Sequence, residues 1–351
     1  MKEYEKNIRK VEPYVPGEQP REKVIKLNTN ENPYPPAPGV RAALKEMDTD
    51  MLRLYPDPTA DVLVKALADF YQVDSSQVFV GVGSDDVLSM CFLTFFNSRK
   101  PVLFPDITYS FYKVWAELYR IPYECPKLDK DFRLVKEDYY KENGGVIFPN
   151  PNAPTALYEE LFVVEDIIAH NRDVIVIIDE AYVDFAGASA IELINKYDNL
   201  IVVKTFSKAR SMAGMRIGYA LGSPALIRYL NDAKYSFNSY TMNQTSLICG
   251  VEAVKDKEYF EENIRKIIDT REWAKGELKD LGFQFTDSKA NFIFATHPEY
   301  DACELFESMK AEGIYVRFFK SPRIEQYIRI TVGTREDMQT MFAFLRKYMK
   351  K

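Results

Sequence analysis

Histidine is almost absent from this chain: His170 and His297 are the only two in 351 residues. That excludes a three-histidine zinc centre, and a Ser-His-Asp triad would have to use one of the pair. Neither is placed for chemistry. His170 closes the helix-like stretch Tyr158–His170, where a cation complements the helix C-terminus. His297 follows a strand-like run and precedes Pro298, which reads as a turn. Any proton transfer here needs another carrier. Cysteine is also sparse: Cys91, Cys125, Cys249 and Cys303 form no C-x-x-C pair and suggest a reducing compartment. No apolar run approaches the ~18 residues of a membrane span. The opening segment MKEYEKNIRK lacks the apolar core of a secretory leader, so a cytoplasmic location is expected. Neither sign of charge dominates, with 46 basic against 52 acidic residues and a net −6. That balance argues against nucleic acid or an anionic membrane as partner.

Apolar residues make up 46% of the chain, and its length suggests about two domains. Residues 1–40 are irregular and carry Pro13, Pro16, Pro20, Pro33, Pro35, Pro36 and Pro38, so this arm must lie against other parts of the protein. Beyond Thr59, a candidate cap, helical patterns alternate with β-rich runs. The helical stretches are Asp61–Tyr71, Asp85–Phe96 (capped by Ser84), Tyr109–Leu118, Leu157–His170, Ile191–Tyr197 and Pro224–Lys234. The strand-like runs are Gln77–Val82, Pro101–Phe104, Gly145–Phe148, Val174–Ile178, Leu200–Lys204 and Ile217–Leu221. Short apolar strands alternating with helices predict an α/β domain with a mostly parallel, doubly wound sheet. After about residue 250 the texture changes to a long charged helix (Val251–Leu281), short strands and a closing helix, Arg335–Lys347, with Thr334 and Asp337 as its capping pair. This predicts a smaller α+β domain. The expected division is 41–255 for the large domain, with 1–40 and 256–351 forming the arm and the small domain.

Three segments carry chemistry. Gly81-Val-Gly83-Ser84-Asp85-Asp86 joins a strand to a helix. It is half of a dinucleotide fingerprint, and also a tight turn whose helix N-terminus suits a phosphate. Asp179-Glu180-Ala181-Tyr182 follows a buried strand, so Asp179 is either a helix cap or a carboxylate facing the crevice where such sheets bind ligands. Lys208 lies in Thr205-Phe-Ser207-Lys208 with Arg216 eight positions on; alone it reads as a surface lysine. Together the three match pyridoxal 5'-phosphate, which needs a lysine anchor, a carboxylate for its pyridine nitrogen and a phosphate cradle. No metal site is expected.

These residues, in this order, resemble the fold-type I pyridoxal-phosphate aminotransferases. The likeness runs nearly the whole chain: Lys26-Leu-Asn-Thr-Asn30-Glu31-Asn32-Pro33, Tyr55-Pro56-Asp57-Pro58, Gly83-Ser84-Asp85, Asp179-Glu-Ala-Tyr182, the lysine motif, and Tyr327-Ile-Arg329-Ile-Thr-Val-Gly-Thr. The arm and the ending are closest to the histidinol-phosphate subgroup, a transferase of histidine biosynthesis; an aromatic aminotransferase or an amino-acid-phosphate decarboxylase is the alternative. The resemblance implies that Lys208 anchors the cofactor and carries the substrate's α-proton, that Asp179 pairs with the pyridinium, and that Tyr182 donates to the ring's phenolate oxygen. It implies Tyr109 on the ring face, and Ser84, Asp85, Thr205, Ser207 and Arg216 around the phosphate. Tyr55 would arrive from the second subunit of a homodimer. Arg329 would bind the α-carboxylate of glutamate or 2-oxoglutarate, with Arg317, Tyr14 and Asn32 lining the pocket for histidinol phosphate. One departure stands out: Asn150-Pro-Asn152-Ala153-Pro-Thr-Ala156 has Ala153 where the family's ring-contacting Asn belongs, so either Asn152 takes that contact through a shifted loop, the favoured expectation, or Tyr182 serves alone.

Overall fold

The computed structural model describes residues 2–350. Met1 and Lys351, the outermost residues of the expected domain bounds, lie outside the described residues. The first half runs β1 (Ile25–Lys26), α1 (Pro38–Glu46), α2 (Asp61–Tyr71), β2 (Val78–Gly81), α3 (Ser84–Phe95), β3 (Val102–Leu103), α4 (Phe111–Tyr119), β4 (Tyr123–Glu124), β5 (Gly145–Pro149) and α5 (Leu161–His170). It continues through β6 (Val176–Asp179), β7 (Leu200–Thr205), β8 (Gly218–Gly222), α6 (Pro224–Phe237) and α7 (Gln244–Lys255). The remainder is α8 (Lys257–Asp280), β9 (Gln284–Phe285), β10 (Phe292–Thr296), α9 (Ala302–Ala311), β11 (Ile314–Tyr315), β12 (Arg317–Phe318), β13 (Ile328–Thr331) and α10 (Arg335–Tyr348).

Seven strands form the central sheet in the order β2-β8-β7-β6-β5-β3-β4, all parallel to their neighbours except β8. The Val/Ile-rich runs of β5, β6 and β7 are buried on both faces, as a parallel sheet covered by helices requires. Their side chains alternate between two cores. Val146, Phe148, Val176, Ile178, Leu200 and Val202 pack against α2, α5 and α7. Ile147, Ile177, Ile201 and Val203 pack against α3, α4 and α6. Each such side chain contributes about 1.5–3 kcal/mol by leaving water. The register sets Pro149 beside Asp179 and Asp179 beside Val203, so β5, β6 and β7 end together at one rim.

A second, antiparallel sheet, β12-β13-β10-β9, packs on α8, α9 and α10 through Ile293, Ile330, Leu305, Met309, Met338 and Phe342. The arm joins this part of the molecule. β1 pairs in parallel with β11, and Thr331 N–H donates to the Leu27 carbonyl at 2.9 Å. A seam of Tyr182, Phe185, Ala209, Ile267, Phe292 and Val332 connects the two sheets.

Several local expectations are corrected. Ile191–Tyr197 is not a helix; only a 3-10 turn, Ala190–Leu193, forms there. The buried Glu180 carboxylate takes Ala190 N–H and the Ser189 hydroxyl, which fixes a tight turn, and seven residues are too few to propagate a helix cooperatively. The helix over Val251–Leu281 is two helices, broken where Asp256 leaves helical geometry and its carboxylate caps Tyr259 N–H. Thr59 does not cap α2: Asp57 accepts Thr59 N–H, Thr59 Oγ1 and Asp61 N–H instead. Ser84 is the first residue of α3 and Gly83 its cap. Of the short strands expected after residue 250, β11 and β12 follow each other closely in the chain but belong to different sheets. The Thr334–Asp337 capping pair forms as expected.

Candidate active site

The rim where β6 and β7 end gathers the acid and the amine. Asp179 closes β6 and is 5% exposed. Its Oδ2 accepts from the Tyr112 hydroxyl at 2.9 Å and its Oδ1 from Ala181 N–H at 3.2 Å. Burial nonetheless pushes its pKa up to about 6, with the Tyr112 hydrogen bond opposing. A carboxylate in this state is incomplete without a cation. Lys208 lies just beyond β7, and its Nζ donates to the Thr29 carbonyl of the arm at 3.0 Å. Burial, then the nearby Arg329, lowers its pKa to about 8, the range in which an amine can act as nucleophile and base. Tyr182 packs edge-on against Phe292, and its hydroxyl accepts from Asn30 Nδ2 at 2.9 Å.

Beside this pair lies an anion-ready corner. Gly83 takes φ +86° and starts α3, whose first N–H groups have no intrahelical acceptor. β8 runs antiparallel to both β2 and β7, placing Gly218 opposite Gly81 and Thr205. Only glycine fits at 218, because a Cβ there would lie 2.2 Å from Gly83 C and 2.3 Å from Ser84 N. Arg216 Nη2 reaches Asp85 Oδ2 at 3.4 Å, and Tyr109 donates to Asp85 Oδ1 at 2.7 Å. The Asp85 side chain is therefore occupied, and what it could offer an anion is its backbone N–H at the helix N-terminus. Thr205 and Ser207 hydroxyls lie 3.0 Å apart in the same corner.

The opposite wall carries two arginines. Arg317 on β12 and Arg329 on β13 are directly paired across the strands and share a face. Arg329 Nη2 donates to the Asn28 carbonyl at 2.9 Å, while its buried Nε has no partner among the described residues. Arg317 Nη2 donates to the Val15 carbonyl at 3.3 Å. Among the described residues neither forms a salt bridge with a carboxylate. Two unneutralised guanidinium groups side by side are destabilising unless an anion joins them. Tyr14 of the arm stacks on Phe111 at 4.2 Å and lies 6.5 Å from the Tyr109 ring.

The side-chain amides of two expected site residues are engaged within the chain. Asn32 donates to the Lys208 and Ala209 carbonyls, tying the arm to the lysine loop. Asn152 gives both Nδ2 hydrogens to Ile107 O and Thr155 Oγ1, and its Oδ1 accepts from Thr108, so its amide braces the loop that carries Tyr109. Tyr55 is 81% exposed, stacked on Tyr240 at 4.6 Å and outside the pocket of its own chain. Sequence reasoning missed Tyr112, for which an apolar helical pattern gave no signal. It also passed over Asn30, whose left-handed φ of 56° no local pattern announces. His170 stacks on Tyr140 and His297 bonds to the Leu281 carbonyl; neither approaches the pocket.

Comparison with known proteins adds an independent finding. Residues 22–345 match the family described as aminotransferase class I and II. The chain is 49% identical over 353 residues to a histidinol-phosphate aminotransferase of Clostridium botulinum strain Langeland, covering 100% of both chains. It is 50% identical over 349 residues to the protein of that name from Lactococcus lactis subsp. lactis, covering 99% of this chain and 97% of the relative. In fold it is similar to the histidinol-phosphate aminotransferase of Sinorhizobium meliloti in complex with pyridoxal-5'-phosphate, with TM-score 0.84, 22% identity and coverage of 93% and 92%. The Clostridium acetobutylicum structure gives TM-score 0.85 at 20% identity, covering 93% of this chain and 99% of that one.

Proposed function

The chain belongs to the class I and II aminotransferases, and on that premise we propose that it moves an amino group between glutamate/2-oxoglutarate and L-histidinol phosphate/imidazole acetol phosphate. The observation that carries this reading is Arg329, within electrostatic reach of Lys208 and Tyr182, with Arg317 paired beside it on β12. The two offer cations both for a carboxylate and for the phosphate of a substrate that has no carboxylate. The roughly half-identical relatives of that name support it.

The residues present fit pyridoxal 5'-phosphate. Asp179 is a buried carboxylate short of a cation, the α3 start with Gly83 and Gly218 leaves backbone exposed to an anion, and Thr205, Ser207 and Arg216 surround it. Lys208 would anchor the group, Asp179 would hold its ring nitrogen, Tyr109 would cover the ring and Tyr182 would donate to the ring's phenolate oxygen. When bound, the group supplies an electron sink for the pair left on the substrate's α-carbon. Lys208, with its lowered pKa, takes up and returns the α-proton. Arg329 orients the glutamate carboxylate, Arg317 joins it on the phosphate, and Tyr14 with the arm excludes water from the amine. Asn152 and Asn32 hold the loops on which Tyr109 and Lys208 sit.

Completion of the site by Tyr55 from a second copy, a cytoplasmic location, and the division into 41–255 with 1–40 and 256–351 belong to the same proposal. Tyr55's exposure, the absence among the described residues of a helix able to cross a membrane, and the β1–β11 pairing support them. Side-by-side turnover of histidinol phosphate, phenylalanine and threonine phosphate tests the substrate. A preference for either competitor over histidinol phosphate would overturn it.

A further inference from the structure

Asn30 is 1% exposed, sits in the left-handed region, and is bonded through every polar atom it has. Its N–H donates to Thr331 Oγ1 at 2.9 Å, and the Thr331 hydroxyl donates to Asn30 Oδ1 at 3.1 Å. Its carbonyl accepts from Asn291 Nδ2 at 3.0 Å. Only Nδ2 faces the pocket, and it donates to the Tyr182 hydroxyl at 2.9 Å. The sense of this chain matters. Thr331 is buried and its hydroxyl oxygen accepts the Asn30 N–H, and among the described residues the acceptor in reach of its own hydrogen is Oδ1, so the amide is held with its nitrogen toward Tyr182. A phenol that receives a hydrogen bond from Asn30 must direct its own hydrogen elsewhere, and the open direction is the pocket.

We infer that Asn30, oriented by Thr331, is a positioning residue that sets the direction of the Tyr182 O–H, and so makes Tyr182 an obligatory donor to the ring oxygen of the bound cofactor. This rests on the proposed pyridoxal-phosphate reading, in which Tyr182 meets that oxygen. The consequence follows from electrostatics. A donor on the phenolate oxygen stabilises its negative charge without help from a proton on the neighbouring imine nitrogen, so the nitrogen's pKa falls. The charged and titratable groups facing Tyr182 are Arg329 on β13, Asp179 on β6, Asp85 on α3 and Lys208 after β7. None of these four is hydrogen-bonded to Asn30, whose partners are Thr331, Tyr182 and Asn291. The chain also crosses the seam: Thr331 lies two residues from Arg329 on β13, so the strand that binds substrate fixes the proton that tunes the cofactor.

The test is the pH titration of the visible absorbance of the pyridoxal-phosphate-loaded protein. Asn30→Asp keeps shape and tolerates the left-handed backbone, but replaces the donor with an acceptor that draws the Tyr182 hydrogen away. The expected result is an upward shift of the spectroscopic pKa by about one unit or more. Most of it should vanish when the same change is made in a Tyr182→Phe background, since the effect passes through that hydroxyl. Thr331→Val, which frees the amide to rotate, should shift the pKa the same way by a smaller amount and serves if Asn30→Asp destabilises the protein. Melting of the cofactor-free variants monitors fold separately. An unchanged spectroscopic pKa in both variants, or a shift of equal size in the Tyr182→Phe background, overturns the inference. Failure of the wild-type protein to develop the absorbance band overturns the underlying cofactor reading instead.

Discussion

Asp179 and Lys208 illustrate how burial turns ordinary side chains into unfinished ones. The Asp179 pKa is raised to about 6 in the folded protein, above its value in the unfolded chain. The stability it contributes is therefore present at low pH and lost as pH rises through 6. Asp179→Asn should raise the melting temperature of the cofactor-free protein at pH 7.5, with the gain shrinking at pH 4, as a thermal scan at both values checks. The same substitution should weaken pyridoxal-phosphate binding, because the ring nitrogen loses its counter-charge. Lys208→Ala should abolish the visible band formed with pyridoxal phosphate; a band left unchanged would place the anchor elsewhere. At this scale the sequence was informative where chemistry is local. The lysine with its flanking hydroxyls and the acid at a strand end could be read directly. Tyr112 and Asn30 could not, because their importance comes from tertiary contacts with Asp179 and Tyr182 across long stretches of chain.

Elements place these residues, and their geometry gives its own consequences. Gly218 of β8 lets the strand press on the start of α3, and Gly218→Ala would drive a methyl into Gly83 and Ser84 backbone. The expected cost is about 1–3 kcal/mol of stability, as for overpacking generally. A loss of pyridoxal-phosphate affinity should accompany it, read by cofactor titration of the purified variant. On the other wall, β12 and β13 set Arg317 opposite Arg329. Arg317→Ala should lower kcat/KM for histidinol phosphate by about 10- to 100-fold, the range of a lost charged hydrogen bond, with less effect on glutamate. Arg329→Ala should impair both. Strand and helix periodicity made most of these elements legible, since β5 to β7 are apolar up to Asp179 and Lys204-Thr205 at their ends and α2 follows a helical period. The errors came from side chains reaching back to the backbone. Glu180 pinned a turn in place of a helix, Asp256 broke one helix into two, and Asp57 took the cap expected of Thr59. Periodicity carries no information about such bonds.

At the scale of the whole molecule, scarcity of histidine and the arm's attachment to the C-terminal sheet are parts of one arrangement. In the proposed reaction Lys208 takes the place of a histidine base, and the arm brings Thr29, Asn30 and Asn32 onto the lysine loop and its tyrosine. The arm's proline-rich composition foretold that it must lie on other structure, though not which carbonyl would meet the lysine amine. Tyr55 is exposed and stacked on Tyr240, and the proposed sharing of the site between two copies has a direct consequence. Lys208→Ala and Tyr55→Ala proteins, each impaired alone, should regain about a quarter of wild-type turnover when mixed and reassembled, since half of the dimers are mixed and each of those holds one complete site. No recovery on mixing would argue for sites complete within one chain. The claim on which everything else depends is the reaction itself. The most direct measurement supplies pyridoxal-phosphate-loaded protein with histidinol phosphate and 2-oxoglutarate and follows glutamate by a coupled assay. Glutamate formed in step with consumption of histidinol phosphate, and lost in Lys208→Ala, is the expected result; loaded wild-type protein that forms no glutamate from this pair would contradict it.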